Sequence, residues 1–220
     1  MRARLTPLLS AALVLSISGP SFAQDWVEFA SREERFTCIF PAQPKVTETT
    51  WSSEYGAVLP ARLYSATQGQ SRYSLTVVDY KPVERLLVEK SKSCPAGAET
   101  CQGIGDWGLG YWKNDVRGAI VYATSKFLQR DGKVTRLMWN SAALVQGQEL
   151  QLINTDQSRT FASIYMHENR LIIMEATVPR GYPPPANFTQ SLGWLDESGR
   201  GIRYSTMYVN APDVPKPTIR

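Results

Sequence analysis

Residues 148–178, QELQLINTDQSRTFASIYMHENRLIIMEATV, decide the fold. Three strands follow one another here: Gln148 to Asn154, Thr160 to His167 and Leu171 to Val178. Glu168-Asn169 is a turn between the last two. Connections this short cannot make a crossover, so neighbouring strands must run antiparallel. Upstream, Val134 to Ser141 joins the series through a turn expected at Gln146-Gly147.

The first half repeats the pattern. Trp26 to Ala30 and Phe36 to Phe40 flank the charged turn Ser31-Arg32-Glu33-Glu34-Arg35 and read as a hairpin. Lys45 to Tyr55, Val58 to Thr67 and Arg72 to Tyr80 follow, the last two joined by Gln68-Gly69-Gln70. Pro60 marks its strand as an edge or as locally irregular.

Helical periodicity enters between the two sets. Val83 to Lys92 carries Leu86 and Leu87 behind Lys81-Pro82. Trp112, Val116, Ile120, Ala123 and Phe127 then fall on one face at helical spacing, which predicts a helix over about Lys113 to Arg130 closed by Asp131-Gly132. Past Pro183-Pro184-Pro185, a helix is expected over Ala186 to Leu195, then a strand from Ile202 to Val209. The order predicts an α+β domain over residues 24–210, an antiparallel sheet with packed helices. A loose tail follows over 211–220, with Pro212, Pro215 and Pro217.

The N-terminus addresses the chain. Arg2 and Arg4 precede an apolar run from Leu8 to Ile17, Gly19-Pro20 breaks it, and Ser21-Phe22-Ala23 offers a small-x-small cleavage site. Residues 1–23 therefore read as a signal peptide, with Gln24 as the mature N-terminus and the periplasm as destination. The run is too short to span a bilayer, so no membrane span is expected. The net charge of +4 moves toward zero once Arg2 and Arg4 leave, and no dense basic stripe points to nucleic acid.

Three cysteines in an oxidising compartment allow three pairings, each leaving one thiol over. Cys94 and Cys101 flank the turn-rich loop Pro95-Ala96-Gly97-Ala98-Glu99-Thr100, which favours a local disulfide between them. Cys38 alternates with Phe36 and Phe40 and is expected to be a buried, inert thiol.

The layout resembles the PsbP-like fold. The likeness rests on Phe36-Thr37-Cys38-Ile39-Phe40-Pro41 with Pro44 after it, the strand Tyr73 to Tyr80, the hairpin Thr160 to Val178 and Ser191-Leu192-Gly193-Trp194. It implies a sandwich and an accessory or binding role. The chain also resembles a family of exported proteins of Gram-negative bacteria. Asp25-Trp26-Val27-Glu28-Phe29, the segment from Lys90 to Cys101, and Gly193-Trp194-Leu195-Asp196 carry that likeness, which brings no activity with it.

No stretch supplies a defensible catalytic motif. Gly103-Ile104-Gly105-Asp106-Trp107-Gly108 matches G-x-G-x-x-G but follows a cysteine loop rather than a strand. His167 is the chain's one histidine and is expected to be an exposed turn residue. Asp196 to Gly201 lacks calcium ligands where Arg200 and Met207 stand. Glu175 is expected on the open face of a sheet. Trp107, Tyr111 and Trp112 beside Lys113 form a candidate ligand contact. No metal and no cofactor is expected. The chain thus reads as a monomeric, non-enzymatic exported module for a small ligand or an envelope protein. The alternatives are an envelope or carbohydrate-active hydrolase using scattered carboxylates about 5–10 Å apart, and a purely structural envelope protein.

Overall fold

The computed structural model describes residues 26–93 and 111–210, with the backbone alone at 111 and at 218–219. The leader, the Cys94–Cys101 pairing, the glycine motif, Trp107 and most of the tail lie outside the described residues.

Two antiparallel sheets and three helices make up the described fold. The larger sheet contains β3 (Lys45–Ser52), β4 (Val58–Gln68), β5 (Ser71–Asp79), β6 (Gly132–Ala142), β7 (Val145–Asn154), β8 (Arg159–His167) and β9 (Arg170–Val178). Its order is β3-β4-β5-β9-β8-β7-β6. The smaller sheet pairs β1 (Val27–Ser31), β2 (Phe36–Phe40), β10 (Gly193–Leu195), β11 (Gly201–Arg203) and β12 (Thr218–Ile219), in that order. The helices are α1 (Val83–Lys92), α2 (Tyr111–Leu128) and the short α3 (Ala186–Thr189).

The small sheet and α3 cover one face of the large sheet, and α1 and α2 cover the other. The central strands β8 and β9 therefore bury both faces and read as nearly unbroken apolar runs. Along β9, Ile172 and Met174 point to the small-sheet core while Leu171 and Ile173 point to the helix-side core. This is more strand-rich than one sheet with packed helices. The expected single sheet is corrected to two, with the longer helices confined to one face.

Local expectations fail for identifiable reasons. Residues 186–195 keep one helical turn and then become β10, because Gly193 and Trp194 pair with Thr37 and Phe36 of β2. A Cβ on Gly193 would sit 2.5 Å from the Thr37 hydroxyl, so this close pairing needs glycine. The strand expected over 202–209 stops at Arg203, and Tyr208 instead makes a parallel bridge to Val145. The β6–β7 turn is Ala143-Leu144, both at positive φ, rather than Gln146-Gly147. Pro60 sits in an interior strand, but opposite Thr50 and just beyond the reach of the β5 ladder, so its missing N–H costs no bond to β5.

Candidate functional site

Strand alternation assembles a concavity among the described residues. β6 directs Arg136 and Asn140 to the small-sheet side, β7 adds Glu149 and Gln151, and β8 adds Phe161, Ser163 and Tyr165. The small sheet does not extend over this end of the large one. The segment from Pro184 through Thr189 and Gln190 to Leu192 roofs the gap instead. The result is a cleft of about 520 Å³, within the range of about 300–1,000 Å³ that holds small ligands.

Tyr165 anchors the floor. Its ring meets Trp194 edge-on at 6.1 Å, and its position requires Gly147, where a Cβ would lie 2.3 Å from the ring. Burial pushes the phenol up to about 12, opposed by a hydrogen bond with Ser163 and reinforced by the Glu149 charge. It is therefore a neutral group able to donate and accept, and it accepts from Asn140 Nδ2 at 3.1 Å.

Glu149 is loosely held. Asn140 reaches it at 3.3 Å, Gln151 at 3.5 Å and Arg136 at 3.5 Å, all at the long end of hydrogen-bond range. The Arg136 guanidinium is half exposed and turns Nε and Nη2 to the Met138 sulfur, a weak acceptor. One carboxylate, one guanidinium, three carboxamides (Asn140, Gln151 and Gln190) and a phenol thus face one space without saturating one another. Chemically they can exchange these bonds for the donors and acceptors of a small polar molecule. Among the described residues Glu149 is the one carboxylate in the lining.

His167, expected at an exposed turn, is buried outside the cleft. The turn after β8 is itself covered, because residues 204–210 fold back over it. His167 stacks on Trp194 at 4.5 Å, and its Nε2 lies 2.7 Å from the Tyr204 hydroxyl. Burial, then the charges of Arg170 and Arg35, lower its pKa to about 3. The imidazole is neutral at ordinary pH and does not line the cleft. Arg35 and Arg170, with Glu34, Glu168 and Glu197, form an ion-pair network beside it.

The remaining candidates separate. Trp112 and Lys113 lie together on the helix side, the ammonium 5.7 Å from the indole centroid, on the opposite face of the large sheet from the cleft. The Tyr111 side chain lies outside the described residues. Glu175, expected on an open sheet face, also points to the helix side and forms a two-pronged pair with Arg130 at 2.6 and 3.0 Å. Cys38 is buried, its Sγ 3.3 Å from the Ser191 hydroxyl, and burial pushes the thiol up to about 12. The Asp196 loop is closed by its own Ser198 and Arg200, which hold that carboxylate well below its usual range. Among the described residues no cluster of His, Cys, Asp and Glu could hold a metal, and no helix is long and apolar enough to cross a membrane.

The cleft residues were missed in sequence because Glu149-x-Gln151 and Arg136-x-x-x-Asn140 look like the solvent side of two strands. The available signal was that β6 and β7 carry polar residues on the face that β8 and β9 fill with apolar ones.

No family model and no curated protein matches the chain. The fold is similar to the solution structure of cyanobacterial PsbP (CyanoP) from Synechocystis sp. PCC 6803. The TM-score is 0.43 at 10% identity, over 82% of this chain and 98% of that one.

Proposed function

We propose that the protein is an exported, periplasmic accessory module that binds a small polar ligand between β6–β8 and the 184–192 segment without converting it. The observation that carries this reading is the loosely bonded set Arg136, Asn140, Glu149, Gln151 and Tyr165 around a ligand-sized space. The one histidine stands apart from this reading's site, engaged with Tyr204, so it is not the base of a cleft hydroxyl.

Calorimetry with monosaccharides, amino acids and dipeptides tests it. At least one class should bind the full chain, and Glu149→Gln should weaken that binding by about tenfold or more, the worth of one charge-assisted hydrogen bond. Binding by none of the three classes, or unchanged affinity in Glu149→Gln, sinks the assignment; turnover of a bound compound replaces it with an enzyme. The export half rests on the leader sequence. The intact mass of protein recovered from the periplasm should match a chain beginning at Gln24, two hydrogens short for a Cys94–Cys101 bridge.

A further inference from the structure

We propose that the β6 edge is a homotypic interface, through which two copies of the chain join their large sheets across a two-fold axis. The two edges of that sheet are unalike. β3 exposes Val46 alone among large apolar side chains and otherwise presents Lys45, Thr47, Glu48, Thr49 and Thr50, a mostly charged and polar surface that keeps an edge single. β6 presents Leu137, Met138 and Trp139 at 48, 42 and 53% exposure. Its ladder to β7 is regular from Arg136 to Ala142, with the one register shift confined to Val134/Arg136.

Those apolar side chains are ordered by face. Val134 and Leu137 pair with Leu152 and Leu150 of the helix-side core, and Trp139 pairs with Gln148, which accepts a hydrogen bond from Thr124 of α2. The stripe Val134–Leu137–Trp139 therefore lies beside α2, on the side where that helix exposes Val121 and Leu128. A two-fold axis normal to the sheet puts same-face residues opposite each other, so each allowed register is centred on one residue. Centring on Arg136 would oppose two guanidinium groups. Centring on Leu137 would set each Trp139 against Thr135, inside the register shift, and centring on Trp139 would set each Leu137 against a serine, Ser141, losing both aromatic–aliphatic pairs. Centring on Met138 sets each Leu137 against Trp139 of the partner subunit, and each Arg136 against Asn140 of the partner subunit. Aromatic–aliphatic cross-strand pairs form twice, no like charges meet, and the stripes fuse. That self-complementarity commits the edge to a second copy of this chain. It also lays the two clefts side by side, with Arg136 of each copy facing the other's Asn140.

The test is the mass of the full chain in solution at micromolar concentration, together with one engineered thiol. In this register Met138 faces itself, at an antiparallel Cα separation of about 4.5–5.5 Å that a disulfide spans. Met138→Cys should give a covalent dimer on mild oxidation, with the linked peptide identified by mass. Ser141→Cys, which faces Thr135, should not link. Trp139→Lys should raise the dimer dissociation constant by at least about tenfold while the far-UV circular dichroism stays that of the folded chain, because the indole is half exposed in the single chain. A single-chain mass, with Met138→Cys linking to another protein or to nothing, overturns the proposal. So does a dimer that neither links in the Met138→Cys variant nor weakens with Trp139→Lys.

Discussion

The two faces of the large sheet solve the same burial problem with different side chains. The face under the small sheet is built of rings: Phe36, Phe40, Tyr64, Tyr73, Tyr165, Phe188, Trp194, Tyr204 and Tyr208. The face under the helices is largely aliphatic, with Leu59, Val78, Leu87, Leu150, Leu152 and Ile164, and with Ala119 and Ala123 letting α2 approach closely. Rings bring polar handles that must be satisfied when buried. Trp194 donates to the Ala142 carbonyl at 2.8 Å, Tyr204 meets His167, and the Tyr208 hydroxyl accepts from the Glu168 amide at 2.9 Å. Aliphatic residues make no such demand, and polar groups on that face, Trp51, Tyr80 and Asp115, are ones with buried atoms left unbonded. The difference teaches that the small sheet is held by directed hydrogen bonds as well as burial, and the helices mainly by burial.

The largest expected break is Trp194→Ala. Removing a fully buried indole should cost about 3–5 kcal/mol, against about 1 kcal/mol for Ile164→Val on the other face. Urea unfolding measures both, and equal costs would erase the contrast.

Next comes pH. From pH 6.5 down to about 3 the unfolded chain carries a proton on His167 that the folded chain refuses. Stability should therefore fall on acidification through that window, by up to about 1.4 kcal/mol per pH unit. His167→Phe should flatten that slope in melting temperature against pH. Asp115, buried on the helix side and bonded by the Ser53 hydroxyl, has the opposite sign. Burial raises its pKa above 3.8, so the stability tied to its protonated form is complete at low pH and declines as pH rises past that value. Asp115→Asn should remove this opposing contribution and leave the acid-side fall steeper. If both variants tilt the profile the same way, the two faces do not differ as argued.

The smallest effect is a gain. Ala143 and Leu144 turn β6 into β7 at φ of 46° and 66°, a region that suits Asn and Gly. Ala143→Asn with Leu144→Gly should stabilise by roughly 1 kcal/mol, as relief of left-handed strain exceeds the added freedom of the unfolded chain, read as a higher denaturation midpoint. A loss would mean that Leu144 packing outweighs the backbone conformation.

Much of the strand layout was legible because period-2 alternation and the turns at Gly69-Gln70 and Glu168-Asn169 are local signals. The division into two sheets was not, because it depends on which residues 186–195 choose as neighbours. Phe188, Leu192 and Leu195 have helical spacing, yet pairing with β2 outweighs that preference. The burial of His167 was equally hidden. It depends on Tyr204 and Tyr208, nearly forty residues away in sequence. The cleft escaped notice because three strands and a loop each contribute only a few polar side chains.

Cys38 makes the contact between the two layers countable in time. Its sulfur is shut between the sheets and holds its proton far above neutral pH, so a thiol reagent cannot reach it while β2 stays in place. The ratio of its labelling rate to that of a free thiol is then the fraction of molecules in which the layers have parted at that instant. A single buried sulfur thus turns the seam between the sheets into a clock for how often the native molecule opens.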